Sequence, residues 1–264
     1  MEVINSPQNS RIRNICKLSV IAKERKEQGL FVIEGARELS LALVGGYVPD
    51  SVYICPRLFA KNDCSELLQS VPSTILCEVS EAVFQKIAYR ESSDGILALV
   101  RPKSHRLSDL QLPDNPFIIV LEAVEKPGNL GAILRTADAA KVDAVIVCNP
   151  STDIYNPNTI RASIGCVFTV PVAVGSNKEV LIFLQDRGIQ TFAAELKAAQ
   201  WYQDSDFTPP SAIVMGTEAE GLSNFWLIRA DRRIKIPMRG VIDSLNVSVS
   251  TAILTFEAMR QRGF

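Results

Sequence analysis

The chain contains a single histidine, His105, no Cys-x-x-Cys pair, no excess of positive charge and no apolar run near the length of a membrane span. One histidine excludes most histidine-dependent hydrolase, protease and zinc mechanisms, unless His105 itself carries the chemistry. It falls in the polar stretch 101–114, where an ordinary linker residue is the simpler reading. The six cysteines, Cys16, Cys55, Cys64, Cys77, Cys148 and Cys166, are scattered without metal-ligand spacing, so mostly buried thiols and no metal are expected. A bilayer span needs about 20 consecutive apolar residues, and none approaches this. Residues 1–13 lack the apolar core of a signal peptide, and a cytoplasmic protein is expected. Neither a Gly-x-Gly-x-x-Gly fingerprint nor a Walker loop is present, which disfavours a nucleotide-dependent oxidoreductase. A net charge of −1 gives no general attraction to nucleic acid, so any such partner must be held by local patches. One is the stretch with Arg11, Arg13, Lys17, Lys23, Arg25 and Lys26; another has Arg229, Arg232, Arg233, Lys235 and Arg239. Each reads equally well as a solvated helix face or a sheet rim.

What is present is ordinary globular composition: 264 residues, 47% hydrophobic and 22% charged, enough for two modest domains. Residues 10–27 have helical spacing, and short apolar segments follow at 31–33, 51–54, 74–77 and 96–100, with a helix-like stretch at 36–44. This alternation predicts a small α/β domain over residues 1–103. Residues 104–115 are polar and proline-bearing, and mark the linker. A second domain, 116–264, has stronger apolar runs at 117–124, 144–148, 167–174, 190–194, 212–215 and 233–238. Near-continuous hydrophobicity predicts strands covered on both faces, as in a parallel sheet. Helices are predicted at 130–140, 178–187, 222–230 and 245–262. In the last, Leu245, Val249, Ala252, Ile253, Phe256 and Met259 form one apolar stripe.

In parallel α/β sheets ligands sit beyond the carboxyl ends of the strands, so the loops there are read first. After 117–124 comes Glu125-Lys126-Pro127-Gly128-Asn129-Leu130-Gly131, in which Asn129 is placed to cap a helix whose polar side carries Arg135. After 212–215 comes Gly216-Thr217-Glu218-Ala219-Glu220-Gly221-Leu222-Ser223, where a glycine directly after a buried strand lets a ligand approach main-chain amides. The third cluster is Ile236-Pro237-Met238 followed by Ser244-Leu245-Asn246-Val247-Ser248, with Ser244 placed to cap the last helix and Asn246 in its first turn. Singly, each also reads as a tight turn or a capped helix.

Together the three clusters resemble the SpoU/TrmH-type RNA ribose methyltransferases of the SPOUT superfamily. Asn129-Leu130-Gly131-Ala132-Ile133-Leu134-Arg135-Thr136-Ala137 resembles the first motif of that family. Met215-Gly216-Thr217-Glu218 with Gly221-Leu222-Ser223 resembles the second, and Ile236-Pro237-Met238 with Ser244-Leu245-Asn246-Val247-Ser248 the third. Ile160-Arg161-Ala162-Ser163 resembles a further family stretch, and residues 1–103 are similar to the family's RNA-binding domain, itself like certain ribosomal proteins. Glu125-Lys126 departs from the pattern, which more often has an acidic residue before the proline.

The resemblance implies an α/β SPOUT domain with a C-terminal trefoil knot, a feature that general chain topology argues against. It implies S-adenosylmethionine-dependent methylation of a ribose 2′-hydroxyl in RNA by a homodimer, the target being ribosomal or transfer RNA, with ribosomal RNA favoured. Main-chain groups at Gly216, Ile236 and Leu245, with Met215 and Met238, would hold the cofactor. Asn129, Arg135, Glu218, Ser244 and Asn246 would form the catalytic set, and Arg11, Arg13 and Arg161 would meet RNA. Arginine keeps its proton up to a pH of about 12 or more, so Arg135 reads as a phosphate-binding, oxyanion-stabilising cation rather than a base. The alternative is an RNA-binding protein that keeps this scaffold without catalysis.

Overall fold

The computed structural model describes residues 2–59, 65–90 and 93–263, so Cys64 lies outside the described residues. The chain divides into two compact units. One comprises Met1–Lys103 with Asp153–Thr169, the other Ser104–Thr152 with Val170–Phe264.

The first unit contains β1 (Glu2–Ile4), α1 (Ser10–Val20), α2 (Ala22–Gln28), β2 (Phe31–Glu34), α3 (Ala36–Val44), β3 (Pro49–Ile54), α4 (Pro56–Phe59), α5 (Ser65–Gln69), β4 (Leu76–Val79), α6 (Glu81–Ile87) and β5 (Ile96–Val100). The sheet order is β1-β4-β3-β5-β2, with β5 antiparallel to both its neighbours. Ile12, Ile15 and Leu18 of α1 are fully buried and close one face of the sheet together with Val83, Phe84 and Ile87 of α6. The single helix expected over 10–27 is broken at Ile21, whose backbone is extended. Arg25 explains the break: its guanidinium donates to the Leu18 carbonyl at 2.6 Å and to Asp153 at 2.6 Å. The basic stretch therefore spends one of its charges inside the unit. The strand expected at 74–77 begins two residues later, after a one-turn helix at Ser73–Ile75.

The second unit contains β6 (Phe117–Glu122), α7 (Pro127–Ala139) and β7 (Ala144–Cys148). The chain then contributes α8 (Pro157–Ala162) to the first unit. It continues as β8 (Val172–Gly175), α9 (Asn177–Gln185), β9 (Gln190–Ala194), β10 (Gln200–Trp201), β11 (Ser211–Met215), α10 (Asn224–Arg229), β12 (Arg232–Lys235) and α11 (Val247–Arg262). Seven strands in the order β10-β12-β9-β11-β6-β7-β8 pair exclusively in parallel. Every residue of β6, β7 and β11 is buried, as their continuous hydrophobicity predicts. Because all strands run one way, the loops after β6, β9, β11 and β12 gather at one sheet edge.

Two expectations are corrected. β6 stops at Glu122 rather than 124, because Ala123 takes a left-handed φ of 50° that turns the chain out of the sheet. The final helix begins at Val247 and buries a different face from the apolar stripe: Val247, Thr251, Leu254, Thr255 and Ala258 face inward, whereas Val249 and Phe256 are exposed. Thr251 returns its hydroxyl to the Val247 carbonyl at 2.7 Å, so it can enter the core without an unsatisfied donor. Cys55, Cys77, Cys148 and Cys166 are buried thiols and Cys16 is half-buried. No helix among the described residues is long and apolar enough to cross a membrane, and no group of three or more potential metal ligands occurs among them.

Candidate active site

At the carboxyl edge of the second unit's sheet, the three loops singled out in the sequence meet at one carboxylate. Pro127 opens α7, and the position before it is Lys126, which makes no side-chain cap. Asn129 is thus inside the first turn and does not cap the helix; its side-chain amide donates instead to Glu218. Glu218 also accepts from Lys126, and from the Asn246 amide at 2.7 Å. Asn246, not Ser244, caps α11: its Oδ1 accepts from the Ser248 amide at 2.9 Å and the Ser248 hydroxyl at 2.6 Å. Capping fixes which end of the Asn246 amide faces out, leaving its NH2 for Glu218 and, at 3.2 Å, for Asn129. With Lys126 and Asn129 donating to it, the Glu218 carboxyl lies below the ordinary carboxylate range.

Beside this cluster lies a cavity of about 410 Å³. Met215, Gly216, Ile236, Met238 and Leu245 all line it, as do Glu218 and Ser244. Leu222, Leu227 and Leu254 complete an aliphatic wall. Gly216 carries no side chain for a steric reason: a Cβ there would overlap the main chain of Gly221 and Leu222. Thr217 and Gly221 close this loop with mutual main-chain hydrogen bonds of 3.0 and 3.1 Å. The size, the apolar lining and the side-chain-free Gly216 on the cavity wall match a site for a small organic cofactor. Ser244 donates to Asp243 at 3.1 Å within the same wall.

Arg135 is not brought to this cluster. Six residues after Asn129 on one helix, it lies about 9 Å further along the axis and about 120° around it. It is exposed and makes no hydrogen bond or ion pair with a described residue. Arg11, Arg13 and Arg161 belong to the first unit and are exposed there. Arg11 is already engaged by Glu2 at 2.8 Å and bonds the Cys77 sulfur at 3.6 Å.

Sequence reasoning missed several residues of the site. Ala194, the last residue of β9, and Glu195–Lys197 after it form one cavity wall, and the only cue would have been their place at the end of a buried strand. Lys126 was noted as a departure, and here it neutralises Glu218. Glu122 gave no cue beyond ending an apolar run. It is 5% exposed, accepts from the Ser223 amide at 2.8 Å and hydroxyl at 2.6 Å, and accepts also from Asn177. Burial and the neighbouring Glu122 raise the Cys148 thiol far above its ordinary pKa, which leaves it no nucleophilic character.

Residues 116–256 match the model of the SpoU rRNA Methylase family, and residues 9–98 match the MRM3-like substrate binding domain. The chain is 29% identical over 261 residues to a 23S rRNA (uridine(2479)-2'-O)-methyltransferase of Streptomyces viridochromogenes, covering 96% of this chain and 91% of that one. A crystal structure of an RNA 2'-O ribose methyltransferase superposes with a TM-score of 0.86 at 38% identity, covering 99% of this chain and all of that one. An AdoMet-bound rRNA methyltransferase from Sinorhizobium meliloti superposes with a TM-score of 0.88 at 28% identity, covering 98% and 97%.

Proposed function

The chain belongs to the SpoU rRNA methylase family, and we propose that it transfers a methyl group from S-adenosylmethionine to a ribose 2′-hydroxyl of ribosomal RNA. The observation that carries this reading is the convergence of Asn129, Glu218 and Asn246 from three separate loops beside an aliphatic-walled cavity of about 410 Å³. Relatives named for methylating 23S rRNA favour ribosomal over transfer RNA.

S-adenosylmethionine supplies a methyl on a positively charged sulfur. Main-chain groups at Gly216, Ile236 and Leu245 would hold the cofactor, and Met215 and Met238, which line the same cavity, would face its apolar parts. Glu218 acts as a brace rather than a base, because a carboxylate held below its ordinary range and engaged by Lys126, Asn129 and Asn246 is poorly suited to take a proton from a hydroxyl. Asn129 presents its amide at the edge of the cluster to orient the ribose or its phosphate, and Ser244 with Asn246 completes the wall. Arg135, exposed and without a bonded partner among the described residues, grips the phosphate next to the target ribose and stabilises the forming oxyanion, with phosphate or water receiving the proton. Arg11, Arg13 and Arg161 on the first unit contact RNA backbone.

The active form is a homodimer in the cytoplasm. Val249 on α11, an apolar side chain 47% exposed, lies on the face offered to a second copy, and two-fold pairing is the commonest arrangement of soluble oligomers. The trefoil knot of the family belongs to the same proposal, in the segment between β12 and the end of α11. Titration calorimetry tests the cofactor assignment: wild type binds S-adenosylmethionine, and Leu245→Arg, which puts an unpaired charge in an aliphatic wall, does not. Absence of binding to wild type would refute the enzyme reading and leave an RNA-binding scaffold.

A further inference from the structure

Glu122, at the carboxyl end of β6, is buried and forms no ion pair with a described residue. A buried carboxyl group with no ion pair is tolerated there only if its oxygens are hydrogen-bonded. Here they are, and the polarity of the network is fixed from one end. The indole N–H of Trp226, itself fully buried, donates to Asn177 Oδ1 at 3.1 Å. Asn177 must therefore turn its NH2 toward Glu122, and from the other side Glu122 receives the amide and hydroxyl of Ser223. Donors approach both oxygens, so an NH2 in place of either would set a donor against a donor.

Ser223 closes the loop that begins at Gly216. Gly216 lies against the main chain of Gly221 and Leu222, and both Gly216 and Leu222 line the 410 Å³ cavity. Releasing Ser223 would free the C-terminal end of that loop and with it one wall of the cavity. We infer that Glu122 is a positioning residue for cofactor binding: its carboxylate anchors Ser223 and thereby holds Gly216 and Leu222 in the wall that receives S-adenosylmethionine. This rests on the cofactor reading given above. Glu122 touches neither cofactor nor RNA in this role.

Glu122→Gln is the informative change, because it keeps the shape and sets an NH2 against either Asn177 or Ser223. Ser223→Ala removes the hydroxyl from the exposed end of the same link, at a position outside the core. Each variant weakens S-adenosylmethionine binding about tenfold or more, the scale of a lost bond to a charged group. The turnover number at saturating cofactor stays within about threefold of wild type, since only ground-state binding is lost. Because both act through one link, the double variant binds no more weakly than Glu122→Gln alone. Hydrogen exchange across 216–223 accelerates in both single variants. Val145→Ala in the sheet core sets the scale for simple loss of stability and leaves cofactor affinity unchanged. Wild-type affinity in either single variant, or additive losses in the double, would overturn the inference. Failure of wild type to bind S-adenosylmethionine would strike the cofactor reading, while unchanged exchange at 216–223 would strike the anchoring role by itself.

Discussion

Gly216→Ala probes the cavity at its tightest point. Gly216 is not among the residues with positive φ, so an alanine there meets no backbone strain and its whole effect is steric. The added methyl carbon would overlap the Gly221 carbonyl and the Leu222 nitrogen. These are main-chain atoms held by the two Thr217–Gly221 hydrogen bonds and, one residue beyond Leu222, by the link from Ser223 to Glu122. They cannot swing aside as a side chain could. Overpacking of this kind costs about 1–3 kcal/mol. For a chain of this size the melting temperature should fall by about 2–4 °C for each kcal/mol. Relief comes mainly by pushing Gly221–Leu222 outward, which reshapes the cofactor wall. Since about 1.4 kcal/mol is a factor of ten, S-adenosylmethionine affinity should drop at least tenfold. Calorimetry and thermal melting on wild type, Gly216→Ala and Gly128→Ala make the comparison, the last being a control because a methyl at Gly128 meets nothing within 4 Å. Wild-type affinity and melting temperature for Gly216→Ala would refute the steric argument.

Three further outcomes follow from the same geometry. Arg135→Lys and Arg135→Ala should both lose about 10²- to 10³-fold in single-turnover methyl transfer with cofactor affinity nearly unchanged; rescue of the lysine variant alone at high pH would favour a literal base. Val249→Glu places charge on the exposed face of α11 and should shift light scattering to the monomer mass of 29.0 kDa; a variant that stays dimeric, or a wild type that is already monomeric, contradicts the interface. Glu218 has a lowered folded-state pKa because Lys126 donates to it, so its contribution to stability is present above the unfolded value of about 4.3 and is lost as pH falls through the lower folded value. The melting difference between wild type and Glu218→Gln should therefore shrink on acidification, and a widening gap would contradict the assignment.

The parallel sheet was legible because its strands are covered on both faces, and burial of that kind leaves a continuous apolar signature at 117–122 and 144–148. Gly216 was legible as a glycine directly after a buried strand, whereas Ile236 and Leu245, which line the same cavity, were pointed to by the family resemblance alone. Choices between equivalent hydrogen-bonding partners were not. Asn129 could cap α7 or reach across to Glu218, and only the tertiary position of Glu218 decides between them. Likewise Ser244 and Asn246 are both competent caps, and the fold uses the second. On α11 hydrophobicity picked the wrong inward face, because Thr251 satisfies its hydroxyl within the helix and is as buriable as valine. Nothing local marks Asp153–Thr169 as part of the first unit; Arg25 reaches Asp153 across 128 residues of sequence.

The most direct test of the central claim is to map ribose 2′-O-methylation in ribosomal RNA after incubation with the purified protein and S-adenosylmethionine, using resistance of the 2′-methylated linkage to alkaline cleavage. Wild type should give new protection at a specific nucleotide, abolished by Leu245→Arg and by Arg135→Ala. Cofactor binding without any protected ribose, or methyl incorporated on a base, would contradict it.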